Sequence, residues 1–290
     1  MCDGFTRSDI ATSGATIAMW RGGSGPPLLL LHGYPQTHVM WRGVAPLLAR
    51  DFTIIATDLR GYGDSSKPPS DPEHAPYSKR AMALDQVEVM SKLGFETFFV
   101  AGHDRGGRVA HRMALDHPRR VTRMAVLDIV PTHRLYADST REFATAYFWW
   151  YFLIQPEPLP ETLIGNSVEF WMREKFGKAA PGAITDEAFA EYLRCYSTPE
   201  AIHASCEDYR AAASIDLRHD EADLDRRIAC PLLALWGERA PMHRLYDVAA
   251  TWRDRAVNVT GKAMPGTHYF VEEIPGLIAE ELRTWFTTTS

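Results

Sequence analysis

The eight residues AGHDRGGR, Ala101 to Arg108, decide how the chain around them folds. They follow a short apolar run, ETFFV at 96–100, which is typical of a buried strand. They precede VAHRMAL at 109–115, whose apolar residues have helical spacing. Glycines flank the turn between them, because such a turn needs residues without a side chain. The sequence therefore predicts a sharp strand-to-helix turn with Asp104 at its apex.

Strand-like and helix-like segments alternate on both sides of this turn. Apolar runs at 26–33 and 52–58 have the composition of strands buried on both faces of a parallel sheet. A helical pattern at 78–94 ends in glycine, and another buried strand is predicted at 121–131. This order predicts an α/β fold with a mostly parallel, doubly wound sheet.

The pattern changes between residues 131 and 228, where helical periodicity and clusters of aromatic residues replace the strands. A buried strand is predicted again at 230–237, and a weaker one near 256–259. We therefore predict a core formed by 1–130 and 229–290, with a helical cap inserted over 131–228.

Composition limits the classes of partner. The chain has 290 residues, 46% of them hydrophobic, and a formal net charge of -6. An acidic chain without a basic face is a poor partner for nucleic acid or an anionic membrane. The N-terminal residues lack the apolar segment of a signal peptide, and the four cysteines have no CxxC spacing. We expect a soluble, cytoplasmic protein with reduced thiols, no metal cluster and a small-molecule substrate.

Polar residues at predicted strand ends are candidates for catalysis, because the sites of open α/β sheets lie at the carboxyl ends of strands. Asp104 ends one strand, Asp128 ends the next, and His268 lies in the loop before the last helix. A nucleophile, then an acid, then a histidine is the chain order of one class of hydrolytic triads. Glu238, which follows a later strand, is an alternative third member.

Five motifs together resemble the fluoroacetate and haloacetate dehalogenases of the α/β-hydrolase superfamily. They are HGYPQTHVMW (32–41), DLRGYGDSSKP (58–68), GHDRGGR (102–108), LDIVP (127–131) and CEDYRA (206–211). The resemblance covers core and cap, and aspartate followed directly by arginine is its most specific feature. It implies a homodimeric enzyme that converts a haloacetate to glycolate and halide without a cofactor or metal. Its partners would be a small anionic haloacid and water.

The resemblance also implies a role for each member of the candidate triad. Asp104 would displace the halogen and become an ester, which water activated by His268 would hydrolyse. It favours Asp128 over Glu238 as the acid that orients the histidine. The backbone N–H groups of Tyr34 and Arg105 would stabilise the oxyanion.

Arg105 and Arg108 lie three positions apart in the first turn of the predicted helix, close to Asp104. Two cations at a helix N-terminus oppose the macrodipole, so this placement requires a compensating anion. We predict that both arginines bind a substrate carboxylate through planar forks. Alternatively, Arg105 pairs with an acid such as Asp58 or Asp128, and Arg108 is a solvated surface residue.

Aromatic residues of the cap are candidates for holding the departing halide, although most such residues only pack. In the dehalogenases a histidine–tryptophan pair and the tyrosine of CEDYR are assigned this role. Here Trp149 and Trp150 stand where that pair stands, and Tyr209 is the tyrosine. The histidine is thus replaced by Trp149, which removes a small hydrogen-bond donor. We expect chloroacetate or bromoacetate to react faster than fluoroacetate.

Two other functions remain open from the sequence. An epoxide hydrolase uses the same aspartate and histidine with two cap tyrosines, which Tyr147, Tyr151 and Tyr209 could supply. Arg105 counts against it, because an apolar residue commonly follows the aspartate in that family. A non-catalytic binding protein on a hydrolase scaffold is the other alternative.

Overall fold

The computed structural model describes residues 4–288 and contains one eight-stranded sheet. Its strands are β1 (Thr6–Ala11), β2 (Thr16–Gly22), β3 (Pro27–Leu31), β4 (Thr53–Thr57), β5 (Phe98–His103), β6 (Val121–Leu127), β7 (Leu232–Gly237) and β8 (Val259–Met264). They are arranged in the order β1-β2-β4-β3-β5-β6-β7-β8. The pairs β1–β2 and β2–β4 are antiparallel and the others are parallel. The prediction of an α/β fold with a mostly parallel sheet is confirmed.

Helices of the core flank this sheet. They are α1 (Ala45–Leu48), α2 (Lys79–Lys92), α3 (Arg105–Asp116), α12 (Pro241–Leu245), α13 (Val248–Arg253), α14 (Phe270–Glu273) and α15 (Pro275–Thr287), with 3₁₀ turns at His38–Trp41 and Ala75–Tyr77. Across residues 4–288 no helix is long and apolar enough to cross a membrane.

Eight further helices lie between β6 and β7. They are α4 (Thr132–Ala137), α5 (Arg141–Ala146), α6 (Trp149–Phe152), α7 (Leu159–Gly165), α8 (Val168–Phe176), α9 (Asp186–Tyr196), α10 (Pro199–Ala212) and α11 (Ile215–Ala222). This segment corresponds to the cap that we interpret as an insertion over 131–228. The outer ends of the two predicted core segments, 1–3 and 289–290, lie outside the described residues.

The parallel register brings the candidate residues to one edge of the sheet. The central strand β3 has a run of fully buried leucines, Leu28 to Leu31, because helices cover both faces of the sheet. Leu31 of β3 pairs with Gly102 of β5, and Leu127 of β6 pairs with His103. The residues that follow these strands therefore meet at their carboxyl ends.

The structure differs from the predicted strands at both edges of the sheet. The sequence pattern predicts neither β1 nor β2. For β1 the reason is that it is an exposed edge strand with the polar sequence TRSDIA. The strand expected near 256–259 is instead β8, which continues through VTGKAM. Its residues are mostly exposed or half-buried, so the edge position requires no apolar run.

Candidate active site

The turn at Asp104 is a strained elbow between β5 and α3. Asp104 has φ 46° and ψ −113°, a backbone conformation that is rare for a residue with a side chain. The chain can turn this tightly because Gly102 and Gly106 pack against backbone. A Cβ on Gly102 would lie 2.4 Å from the carbonyl oxygen of Gly106, and one on Gly106 would lie 2.5 Å from that of His32. The glycines thus allow the strain, which presents the aspartate at the sheet edge.

His268 is held by Asp128 at the same edge. Its Nδ1 lies 2.6 Å from Oδ2 of Asp128, and the other carboxylate oxygen accepts the N–H of Gly237 at 3.0 Å. Asp128 is fully buried, whereas Glu238 is exposed to solvent. This geometry favours Asp128 over Glu238 as the partner of the histidine.

The carboxylate of Asp104 is surrounded by groups that stabilise its negative charge. Burial alone would raise its pKa, but the charges of His268, Arg108 and Arg105 lower the pKa below the ordinary value. The backbone N–H of Tyr34 also donates to its Oδ1 at 3.0 Å. Asp104 is therefore ionised at neutral pH, with one of its two oxygens already engaged.

The protonation of His268 is coupled to the two aspartates. Burial would lower its pKa, but the hydrogen bond and charge of Asp128, helped by the charge of Asp104, raise the pKa above 6.5. A reaction that neutralises Asp104 removes one of the negative charges that raise the pKa of His268. Such a reaction therefore favours the neutral histidine, which is the form that accepts a proton.

The structure gives Arg105 a protein partner that the sequence did not suggest. Its Nε lies 2.8 Å from Oδ2 of Asp208 and its Nη2 lies 2.7 Å from Oδ1, and both side chains are fully buried. Lys79 also contacts Asp208, and these cations lower the pKa of its carboxyl well below the ordinary value. The compensating anion for Arg105 is therefore Asp208 of the cap. The sequence pattern instead predicts a substrate carboxylate for this role or, alternatively, an acid such as Asp58 or Asp128.

One nitrogen of Arg105 remains without a protein partner. Its Nη1 is buried and makes no hydrogen bond to any residue from 4 to 288. Asp208 thus already engages Nε and Nη2, the two nitrogens with which Arg105 could have bound a substrate carboxylate in a bidentate way. Among the contacts of the described residues, only the two N–H bonds of Nη1 are left for a ligand.

Arg108 is buried rather than solvated, so the surface alternative for this residue is wrong. Its side chain is 3% exposed, and its Nη1 donates to the carbonyl oxygen of Val130 and to Oγ1 of Thr132, both at 3.0 Å. It forms no ion pair with a carboxylate of the described chain at the distance of a salt bridge. Burial lowers its pKa, and the charge of Asp104 opposes that change. Arg108 is therefore a buried cation that is stabilised by the charge of Asp104 without a direct ion pair to it in the described chain.

Two aromatic residues of the cap lie over these arginines. The guanidinium carbon of Arg105 is 4.1 Å from the ring centroid of Tyr209, and that of Arg108 is 4.5 Å from the centroid of Trp150. The two rings contact each other edge to face at 5.4 Å. The structure thus brings Trp150 and Tyr209 together over the two arginines. Burial, followed by the charge of Asp104, raises the pKa of Tyr209.

Trp149, the third residue predicted in the halide pocket, makes different contacts. Its ring packs on Tyr147 and Phe148 and lies beneath the amino group of Lys175. Among the described residues it has no ring contact with Trp150 or Tyr209. Sequence reasoning missed Lys175 because a lysine in a helix usually indicates a solvated face.

Comparisons with known proteins agree with this geometry. A family model for the alpha/beta hydrolase fold matches residues 26–268. A fluoroacetate dehalogenase from Burkholderia sp is 48% identical over 98% of this chain and 94% of the relative. A soluble epoxide hydrolase from Corynebacterium sp. (strain C12) is 36% identical over 91% of this chain and 91% of the relative.

A solved structure from Nostoc sp PCC 7120, described as an alpha/beta hydrolase, is similar over nearly the whole chain. It is 56% identical, with a TM-score of 0.97, and the match covers 98% of this chain and 99% of that one. The chain therefore belongs to the α/β-hydrolase family and, within it, is similar to the haloacetate dehalogenases, as its motifs predict.

Proposed function

We propose that the protein hydrolyses the carbon–halogen bond of small 2-haloacids through an ester on Asp104. The observation that carries this proposal is the surroundings of the elbow carboxylate. It lies between the His268–Asp128 pair and two buried guanidinium groups, and Arg108 has no carboxylate partner in the described chain. An ionised carboxylate can attack a saturated carbon, and a substrate carboxylate would compensate the remaining cation.

The first step forms the ester. Oδ1 of Asp104 accepts the N–H of Tyr34, so we assign the attack to Oδ2. Oδ2 forms a bond to the α-carbon while the halogen leaves as halide with the bonding electron pair. The lowered pKa of Asp104 keeps the nucleophile ionised for this step.

The second step returns the enzyme to its starting state. His268 takes a proton from water, and the resulting hydroxide adds to the carboxyl carbon of Asp104. The N–H of Tyr34 would stabilise the negative charge on Oδ1, with the N–H of Arg105 as the second predicted donor. The bond between the carboxyl carbon and the ester oxygen then breaks, and the 2-hydroxy acid leaves with that oxygen and with the proton from His268. The hydroxyl that came from water releases its proton to solvent, which regenerates the Asp104 carboxylate. Ester formation helps this step, because it removes one of the two negative charges that raise the pKa of His268, the smaller one of Asp104.

We assign substrate binding to the two arginines in unequal parts. Arg108 would be the main partner of the substrate carboxylate, since Asp208 already occupies the fork of Arg105. Arg105 would contribute its free Nη1. Trp150 and Tyr209 would donate to the departing halide, while Trp149 lies against Lys175. We therefore keep the prediction that fluoroacetate reacts more slowly than chloroacetate, because fluoride is the poorest leaving group of the series.

A second candidate, epoxide hydrolysis, is favoured by one tyrosine. The hydroxyl of Tyr147 is buried without a hydrogen-bond partner in the described part of the chain. The charges of Asp128 and Asp104 contribute to raising its pKa. Tyr151 fits this role less well, because its hydroxyl contacts Ser139. An epoxide needs a proton donor but no carboxylate partner, so this candidate leaves Arg108 unexplained.

One experiment separates these functions. Purified protein is incubated with chloroacetate or with styrene oxide, and chloride or diol is measured. We expect chloride release that Asp104→Asn abolishes, because an amide oxygen cannot form the ester. Diol without chloride would support the epoxide hydrolase, and neither product would support a non-catalytic binding protein.

A further inference from the structure

Lys175, on cap helix α8, is a buried basic side chain that has no acidic partner among residues 4–288. It is 6% exposed, and across residues 4–288 no carboxylate lies within salt-bridge distance of its amino group. Lys79, which is equally buried, is paired with both Asp208 and Asp216. A buried ammonium group that lacks a counter-ion is costly and therefore calls for an explanation.

Three aromatic rings surround the amino group and form what we call the aromatic box: Phe148, Trp149 and Trp171. The Nζ of Lys175 lies 3.3 Å from the centroid of Trp149, 4.7 Å from that of Trp171 and 4.8 Å from that of Phe148. Faces of aromatic rings attract a cation, which partly offsets its loss of hydration. The rings supply no negative charge, so the box leaves Lys175 able to bind an anion.

The aromatic box lies between the protein surface and the active site. On its outer side, Phe148 is 50% exposed and the exposed Lys178 lies 5.1 Å from the centroid of Trp149. On its inner side, the indole N–H of Trp171 donates at 2.6 Å to the hydroxyl of Tyr34, whose backbone N–H binds Asp104. The box is thus exposed on one side and, on the other, contacts the residue whose backbone N–H binds Asp104.

Lys175 also contacts the loop that carries His268, and it responds to the charge of Asp104. Its carbonyl oxygen accepts the hydroxyl of Tyr269 at 2.9 Å. Burial and, to a smaller extent, the charge of Lys178 lower the pKa of its amino group to about 6, although the charges of Glu174 and Asp104 oppose this change. A carboxylate that arrives beside the amino group would favour the protonated form in the same way.

We propose that Lys175 is a specificity-determining residue that binds the carboxylate of an anionic substrate on its way to Asp104 and thereby selects haloacids over neutral alkyl halides. This inference rests on the proposed dehalogenase function for its substrate class. It assigns Lys175 to the approach of the substrate and not to bond cleavage. The loss of its charge should therefore affect capture of the substrate more than the chemical step.

The test compares chloroacetate with its neutral analogue chloroacetamide in the Lys175→Met enzyme. We expect kcat/KM for chloroacetate to fall about tenfold, as for the loss of ~1.4 kcal/mol, while kcat stays within about a factor of two. Chloroacetamide should show no such fall. Lys92→Met, a change of an exposed lysine on α2, is the matched control and should resemble the wild type.

The Lys175→Arg variant distinguishes charge from packing, because it restores the cation and should recover most of the loss. If the methionine variant does not fold, Lys175→Arg and Lys175→Gln give the same comparison. An unchanged ratio of the kcat/KM values for chloroacetate and chloroacetamide in a folded, uncharged variant would overturn the proposal.

A binding measurement keeps this inference separate from the proposed function. Acetate, an unreactive carboxylate, is titrated against the protein while tryptophan fluorescence reports on the aromatic box, and acetamide is the control. Weaker binding of acetate in the uncharged variant supports the role of Lys175 even if no haloacid is turned over. Equal binding in wild type and variant would contradict it, whatever the enzyme does with chloroacetate.

Discussion

The edge of the sheet and the cap contribute different kinds of group to the site. At the carboxyl ends of the strands, the side chains of Asp104, Asp128 and His268 lie close together. Their hydrogen-bond partners belong to the core, as the N–H groups of Tyr34 and Gly237 do. The cap supplies a counter-ion, aromatic rings and Lys175, which has no acidic partner within residues 4–288. The sheet edge thus holds the aspartates and the histidine, and the cap adds charged and aromatic side chains around them.

The two regions are joined at Arg105. It belongs to the helix that follows the elbow, yet its fork is bound to Asp208 of the cap. Tyr62 of the core also donates to Asp208, at 2.6 Å. The core and the cap therefore share one buried network of hydrogen bonds, and substitutions on either side should separate their contributions.

The largest effect is expected from breaking that network. Asp208→Asn leaves Arg105 and Lys79 buried without a full counter-charge, so the free energy of unfolding should fall by about 3–5 kcal/mol. Denaturant unfolding measures this change. Asp51→Asn, which breaks an exposed pair with Arg283, is the control and should cost at most about 1 kcal/mol. A loss of similar size in both variants would mean that the network does not hold the cap to the core.

A smaller effect, confined to the reaction, is expected from Arg108. Arg108→Met should lower kcat/KM for chloroacetate by an amount that corresponds to roughly 2–5 kcal/mol, since the substrate carboxylate loses its main partner. Steady-state chloride release measures the loss, and chloroacetamide should be much less affected. The control is Arg119→Met, an exposed arginine just beyond α3. Wild-type kinetics in Arg108→Met would refute the assignment of the carboxylate to this residue.

The smallest effect concerns halide preference. Trp149→His restores a compact donor where the resemblance places one, so turnover of fluoroacetate relative to chloroacetate should rise by roughly tenfold to a hundredfold. Trp149→Phe retains a ring without a donor and controls for packing against Lys175. A fluoroacetate-to-chloroacetate ratio that is the same in all three proteins would show that position 149 does not contact the halide.

The sequence predicts the candidate residues at the carboxyl ends of the strands, but it does not predict the contacts that the cap makes with them. Asp104 and Asp128 were predicted because each depends on local features: glycines around the elbow, and an apolar run that ends at Asp128. His268 was predicted from its place in the loop before the last helix. The pair of Arg105 with Asp208 joins residues 103 positions apart, so no local pattern indicates it. Edge strands such as β8 lack the apolar run of a buried strand.

The proposed function depends above all on an ester of Asp104 whose hydrolysis requires His268. The direct test mixes His268→Asn protein with chloroacetate and follows chloride and intact mass, with peptide mapping to locate any adduct. We predict about one chloride per active site, then arrest, with a carboxymethyl group on Asp104. Because Asp104→Asn cannot form the ester, it is the control and should remain unmodified. Unmodified His268→Asn protein that has released no chloride, or turnover that continues without His268, would contradict the account.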